Sequence, residues 1–398
     1  MRVDVVGTGL GPNSVTLEGR EAISAAELLI GSPRLIEDFS RSDQQTIKAT
    51  RPSDVIAAIE AASAERIVVL MSGDVGYHSG ATKIAVWQRE KLPTLPLRLI
   101  PGVSTISALA ARVGLAWEDA ALISCHGIET DLVSPVRRNQ RTIALTGGNV
   151  SQLAASLIEA DFGRLTVWIG ENLGLATESV TQTTIDDLAS RDCSSLTTLL
   201  IENPSADARI RTGIPDEEFA RGKVPMTKSA VRAVSVAQLA IEPTDICYDV
   251  GCGTGSVTVE LALSAHSGQV FAIDKNPEAI ELTRANCREF HLGNVTVEEG
   301  FAPEGLADWP NPDVVFIGGT TGSMQEIVEL VVERNPNVRI VVTAIAVESV
   351  TAALTALKAV GLTPKITQLS VAEGRAVGGL HLMIAQNPVT IISGGCDG

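Results

Sequence analysis

Asp249-Val250-Gly251-Cys252-Gly253-Thr254-Gly255-Ser256 is the stretch whose reading decides the fold. Before it, Pro243-Thr244-Asp245-Ile246-Cys247-Tyr248 reads as a turn feeding a short buried strand; after it, Val257, Val259, Leu261 and Ala262 begin a helix. A glycine loop between strand and helix lets the backbone approach a ligand closely. A dinucleotide fingerprint asks for glycine or alanine three places after its second glycine, where the helix packs on the strand. That place is Ser256 here. The loop also opens with an acid, Asp249, which suits a cationic ligand better than a pyrophosphate. S-adenosylmethionine (SAM) carries a sulfonium and an ammonium group and no phosphate. In Val270-Phe271-Ala272-Ile273-Asp274 a second acid stands nineteen residues beyond Gly255, at the tip of the next strand. A carboxylate there accepts both ribose hydroxyls of an adenosine. The plainer alternative is a strand-turn-helix with an exposed acid. SAM-dependent methyl transfer is the reading these residues favour.

At 398 residues the chain is too long for one ordinary core, so two or three domains are expected. With 45% apolar and 20% charged residues it falls in the globular, soluble class. No apolar run approaches the roughly 18 residues of a membrane span, and Met1-Arg2-Val3-Asp4 enters a strand at once instead of a signal-peptide pattern. A net charge of −16 argues against a nucleic-acid partner held through phosphates. Neither nucleic acid nor membrane is expected as a partner; self-association into a homo-oligomer is. The six cysteines show no Cys-x-x-Cys pairing and read as thiols of a reducing cytoplasm, not as a metal site. Cys252 supplies a small side chain to the loop, with no histidine near it in sequence to make it a nucleophile.

In the first half, Val3-Asp4-Val5-Val6 leads into Gly7-Thr8-Gly9-Leu10-Gly11-Pro12. Helical apolar spacing follows over 16–29, closed by Leu29-Ile30-Gly31, and again over 54–62. The strand Arg66-Ile67-Val68-Val69-Leu70-Met71 ends in Ser72-Gly73-Asp74-Val75-Gly76-Tyr77. Leu97-Arg98-Leu99-Ile100 runs into Pro101-Gly102-Val103-Ser104-Thr105 and a helix over 106–113. Alternating strands and helices predict a mostly parallel α/β sheet with ligands at the C-terminal strand ends. The three loops, in this order and spacing, resemble the tetrapyrrole (corrin and porphyrin) methylase family, with Val75 standing where most members carry proline. The resemblance implies a domain over 1–204 made of two α/β subdomains, about 1–116 and 117–204, with SAM in the cleft between them. It places Leu10, Gly73, Asp74, Tyr77, Ser104 and Thr105 on that cleft. In the second subdomain, Ser124-Cys125-His126-Gly127 and Glu171-Asn172-Leu173-Gly174 resemble the late corrin branch, with Ile128 at a position commonly arginine. His126 is open between a general base, a substrate contact and a hydrogen-bonded structural histidine.

Residues 205–212 are polar and aperiodic and read as a linker. Over 213–388 the chain resembles a Rossmann-like class I SAM-dependent methyltransferase, with 389–398 as a tail. Thr227 is expected to hold the SAM carboxylate or to serve as a helix N-cap. Asp249, Gly251, Cys252, Gly253, Thr254, Gly255 and Asp274 form the cofactor loop and ribose site, and backbone near Ala302 borders the adenine. Strands over 339–343 and 380–384 are expected to flank a helix over 347–360. Pro215-Asp216-Glu217-Glu218-Phe219, Pro225-Met226-Thr227-Lys228 and Glu299-Gly300-Phe301-Ala302-Pro303-Glu304 resemble the corrin-pathway methyltransferases that methylate carbon 15 and decarboxylate a ring acetate. The first half resembles their carbon-5 methylating partner. The resemblance implies two SAM sites and a tetrapyrrole (precorrin) substrate. Its carboxylates are expected to meet Lys223, Lys228, Arg232 and Arg375 in one half, and Arg137, Arg138 or Arg141 in the other. No catalytic residue is assigned; His291 and His381 are open between proton donors and structural roles. The competing readings are a fused methyltransferase pair acting on the cobalt-containing precorrin or another small molecule, and a non-catalytic SAM-binding module. A nicotinamide dehydrogenase is disfavoured by Asp249 and Ser256.

Overall fold

Among residues 1–125, 131–320 and 322–395, which the computed structural model describes, apolar runs become strands and the amphipathic runs between them become helices. Two units result. One comprises Met1–Thr130, Asn139–Ala154 and Arg164–Pro204; the other comprises Asp131–Arg138, Ala155–Gly163 and Ser205–Gly398.

The first unit contains two sheets. The strands β1 (Arg2–Gly7), β2 (Leu28–Gly31), β3 (Gln45–Lys48), β4 (Arg66–Met71) and β5 (Leu97–Ile100) form an all-parallel sheet in the order β3-β2-β4-β1-β5. The helix expected over 16–29 is shorter, Leu17–Ala25, with Thr16 accepting the Gly19 amide as its cap. Leu28–Gly31 is instead a strand between two parallel neighbours, because four successive small or apolar residues there are all buried. The second sheet orders β6 (Ala121–Ser124), β7 (Arg141–Leu145), β8 (Thr166–Glu171), β9 (Ser179–Thr184) and β10 (Thr197–Glu202) as β6-β7-β10-β8-β9, with only β6 and β7 parallel.

In the second unit, β11 (Ile246–Val250), β12 (Gln269–Asp274), β13 (Val295–Glu299), β14 (Val314–Ile317), β15 (Arg339–Ala344), β16 (Lys365–Leu369), β17 (Ala372–Val377), β18 (Leu380–Ala385) and β19 (Val389–Gly394) follow in sequence. Seven of them form one sheet in the order β13-β12-β11-β14-β15-β19-β16, parallel through the first five and antiparallel at β19. The strand order reverses direction on either side of β11. A crevice opens there beyond the carboxyl ends of β11 and β14, where doubly wound sheets bind ligands. Strand β11 is buried nearly throughout, and all nine residues of the following helix, Ser256–Ser264, are buried.

The C-terminal end departs from expectation. Residues after Pro388, read as a tail, form β19 inside the sheet, while the strand expected over 380–384 lies in the exposed hairpin β17–β18. Both runs are apolar; β19 takes the interior seat because Ile391 and Ile392 bury one side chain on each face of the sheet. Among the described residues, no helix is long and apolar enough to cross a membrane.

The position of β19 has a measurable consequence. Ile391→Ala and Ile392→Ala are each expected to lower unfolding stability by about 2–5 kcal/mol, the range for emptying a buried aliphatic site. Denaturant titration reads this directly, and costs near zero would show that 389–394 is not part of the core.

Candidate active site

The site in the second unit is built from the loop after β11. Gly251, Gly253 and Gly255 all have positive φ. A Cβ on Gly251 would stand 2.5 Å from the Gly319 carbonyl oxygen, and one on Gly253 would stand 2.8 Å from that of Pro225. Both positions therefore need glycine because backbone closes on them, from the end of β14 on one side and from the 213–228 strap on the other. Asp274, at the tip of β12, accepts the Gly253 amide at 3.0 Å and the Asn276 amide at 2.9 Å, which locks loop and carboxylate together.

These elements wall a cavity of about 900 Å³. Thr227, Gly251, Cys252, Gly253, Asp274 and Ala302 line it, as do Lys228 and Lys275. Asp249, Thr254 and Gly255 stand behind that wall. Asp249 is fully buried: Oδ2 accepts from the Thr258 hydroxyl at 2.5 Å, and Oδ1 has no partner among the described residues. Burial, helped by the charge of Asp274, pushes its pKa up to about 7. Burial likewise raises the Cys252 thiol, whose Sγ lies 3.4 Å from Thr283 Oγ1, so it is no thiolate nucleophile. The helix after the strap starts at Ser229 with Lys228 as N-cap, so Thr227 is not the cap; its carbonyl accepts from Arg232.

Arg232 and Arg137 were expected to meet substrate carboxylates, and the structure assigns them elsewhere. Arg232 has no exposed surface: its Nε donates to Glu260 at 2.6 Å, and its remaining nitrogens reach Asp216, Thr227 and Ile214. Arg137 is buried and donates to the Asp207 carbonyl at 3.0 Å. Arg141 is paired with Asp119, and Lys228 with Asp216. Lys223 and Arg375 lie outside the cavity wall. So do His291, which bonds the Ala160 carbonyl and stacks on Phe162, and His381, exposed on β18. Sequence reasoning missed Met226, Met324 and the 343–346 and 386–387 stretches of the wall. Met226 comes in with the strap that carries Thr227; nothing local marks the 343–346 and 386–387 stretches, which strand order brings in.

In the first unit, the three glycine loops follow β1, β4 and β5, which are adjacent strands. Gly9 and Gly73 exchange backbone hydrogen bonds at 3.1 and 3.0 Å. A Cβ on Gly102 would meet the carbonyl oxygens of Gly73 and Gly7 at 2.4 and 2.6 Å, so only glycine fits there. Asp74 accepts the amides of Gly102 at 3.0 Å and Gly76 at 2.7 Å, joining the second and third loops. Ser104 caps the helix Thr105–Val113. Leu10 and Tyr77 pack with Ile106, Leu109 and Leu173. The Tyr77 hydroxyl has no partner among the described residues, and burial raises its pKa to about 12. His126 and Ile128 lie outside the described residues.

A doubly wound sheet with a glycine loop, an acid at the tip of the neighbouring strand and a large cavity at its crevice is the architecture of a nucleoside-cofactor enzyme. The comparisons narrow that class. The family described as Precorrin methyltransferase domain matches residues 217–394, and Tetrapyrrole (Corrin/Porphyrin) Methylases matches residues 2–189. The precorrin-6Y C(5,15)-methyltransferase [decarboxylating] of Sinorhizobium sp is 32% identical over 70% of this chain and 68% of its own length. The probable cobalt-precorrin-6B C(15)-methyltransferase (decarboxylating) of Methanothermobacter thermautotrophicus is 40% identical over 45% of this chain and 94% of its own. The crystal structure of precorrin-6Y C5,15-methyltransferase from Geobacter metallireducens aligns with 46% of this chain and 95% of that one, at 36% identity and a TM-score of 0.44. The chain belongs to the family of SAM-dependent, decarboxylating precorrin methyltransferases.

The buried Asp249 gives a pH test. Its folded pKa, raised from 3.8 to about 7, means the folded chain keeps a proton that the unfolded chain has lost. The associated stability is complete below the unfolded value and is lost as pH rises through about 7. Melting temperatures of Asp249→Asn and the parent should therefore diverge in the variant's favour between about pH 4 and about pH 8. Parallel profiles would place Asp249 in a setting that leaves its ionisation free.

Proposed function

We propose that this chain methylates a precorrin twice, at carbon 5 through its N-terminal unit and at carbon 15 through its C-terminal unit. The second reaction is accompanied by loss of the C12 acetate as carbon dioxide, giving precorrin-8. The observation that carries this reading is the 900 Å³ cavity beyond the glycine loop, within the span matched by the precorrin methyltransferase domain. In the C-terminal unit, Asp274 takes the ribose hydroxyls, the 251–253 backbone follows the methionine part of SAM, Thr227 holds its carboxylate and Ala302 borders the adenine. Asp249, Thr254 and Gly255 act from behind, by holding the loop in shape. In the N-terminal unit, Leu10, Gly73, Asp74, Tyr77, Ser104 and Thr105 are the SAM residues. The domain reading that accompanies this assignment is a methylase over 1–204, a linker over 205–212 and a second methyltransferase from 213 onward.

The chemistry asks little of the protein beyond alignment. The sulfonium is an activated leaving group, so a ring carbon displaces it directly once nucleophile, methyl and sulfur are in line. In decarboxylation the C–C bond to the carboxyl breaks, its electron pair enters the conjugated ring, and a ring-borne carbon later takes up a proton. The cytoplasm is the proposed compartment. Self-association is part of the same proposal, supported by the exposed Leu380, Leu382, Met383 and Ile384 of β18, and sedimentation velocity measures it. A nucleic-acid or membrane role is not part of it.

Mass spectrometry on the tetrapyrrole tests the proposal. The full chain with precorrin-6B and SAM is expected to add two methyl groups and remove one carbon dioxide. Asp274→Ala should leave a single methyl and the acetate intact. An unchanged ring in the presence of bound SAM would refute the substrate assignment.

A further inference from the structure

We propose that the turn joining β15 to the helix Val347–Ala359, together with Gln386 and Asn387, seats the acceptor ring in the C-terminal unit. This rests on the reading that SAM occupies the glycine-loop end of the same cavity. That end is walled by Gly251–Gly253, Asp274, Asn276 and Ala302, whereas the far end is walled by Thr343, Ala344, Ile345, Ala346, Gln386 and Asn387. In-line methyl transfer requires donor and acceptor to share one space. The part of the cavity not bordered by the loop and the ribose-side acid is therefore where the acceptor lies. Strands β11 and β15 are separated only by β14, so their ends stand about 10 Å apart, at roughly 4.8 Å per strand. That separation suits a ring whose edge reaches the transferred methyl.

The chemistry of this far end matches a broad, conjugated ring with carboxylate side chains. Ile345 is on the cavity wall and 67% exposed; Val347, two residues further on and outside that wall, is 76% exposed, so two branched apolar side chains stand in solvent beside the cavity. Apolar groups concentrated at a pocket mouth mark a surface that a ligand covers. Their position at the carboxyl edge of a mostly parallel sheet is the ligand edge of this architecture. Gln386, Asn387 and Ser349 are also on the wall, and their side chains make no hydrogen bond among the described residues, which leaves amide and hydroxyl donors for substrate carboxylates. Lys275, also on the wall, has no ion-pair partner among the described residues. A flat apolar face over Ile345 and Val347, with acidic arms toward the amides, fits this arrangement; a small polar acceptor would leave both side chains uncovered.

The test uses the full chain carrying Ile345→Ser with Val347→Ser, and separately Gln386→Ala with Asn387→Ala. Calorimetric titration gives the SAM affinity, and decarboxylated product formed from precorrin-6B gives kcat and KM for the C-terminal reaction. The expected result is SAM affinity within about twofold of the parent and a KM for the ring raised roughly tenfold or more, in line with lost apolar and polar contacts of about 1–3 kcal/mol. Unchanged KM in both variants would overturn the proposal. Weakened SAM binding in the serine variant would also overturn it, by placing the turn in the cofactor's part of the cavity. A parent chain that binds no SAM would instead refute the reading of the cavity on which the proposal rests.

Discussion

The C-terminal site depends on a guanidinium that has been taken wholly out of water. Arg232 has no exposed surface, and a buried charge costs several kcal/mol unless it is paired and its donors are met. Glu260 and Asp216 supply the opposing charge, and the Thr227 and Ile214 carbonyls take further donors. Glu260 lies in the helix that begins at Ser256, directly after the glycine loop, while Thr227 and Ile214 belong to the 213–228 strap. Glu260 also accepts the amides of Gly213 and Ile214, both at 3.0 Å. One ion cluster thus ties strap, helix and loop together. The strap is fixed twice more, by Asn286 to Ala220 and by Glu278 to the Lys223 amide. The cavity wall that carries Thr227 and Met226 is therefore a consequence of packing behind the site.

The N-terminal unit solves the same problem with neutral backbone and one acid. Its three loops are brought together by the adjacency of β4, β1 and β5, by glycine-only contacts at Gly7 and Gly102, and by Asp74 accepting two amides. The two units share a parallel α/β sheet and glycine loops at its carboxyl edge. They differ in strand order, in the acid that organises the loop and in what surrounds it.

Much of this was legible in the chain because the decisive signals are local. The Asp249–Ser256 loop, the Asp274 strand tip and the three N-terminal loops each occupy a few successive residues, and all stand where a strand ends. What was not legible depends on long-range pairing. Leu380–Ala385 and Val389–Gly394 are both short apolar runs; only the completed sheet, with β19 paired to β15 and β16, decides which is core and which is an exposed hairpin. The early end of the helix at Ala25 was likewise hidden, since Leu28–Gly31 continues an apolar period that suits either element. Arg232 read as a substrate contact because its partner Glu260 is 28 residues away, and nothing in sequence marks a buried pair of that separation. The outer wall of the cavity, at 343–346 and 386–387, was invisible for the same reason.

Two independent SAM sites, on two differently wound α/β units, are what we propose for this one chain. Isothermal titration of the intact chain with SAM tests this most directly. The expected stoichiometry is two cofactor molecules per chain. A value of one, or no binding, would contradict it.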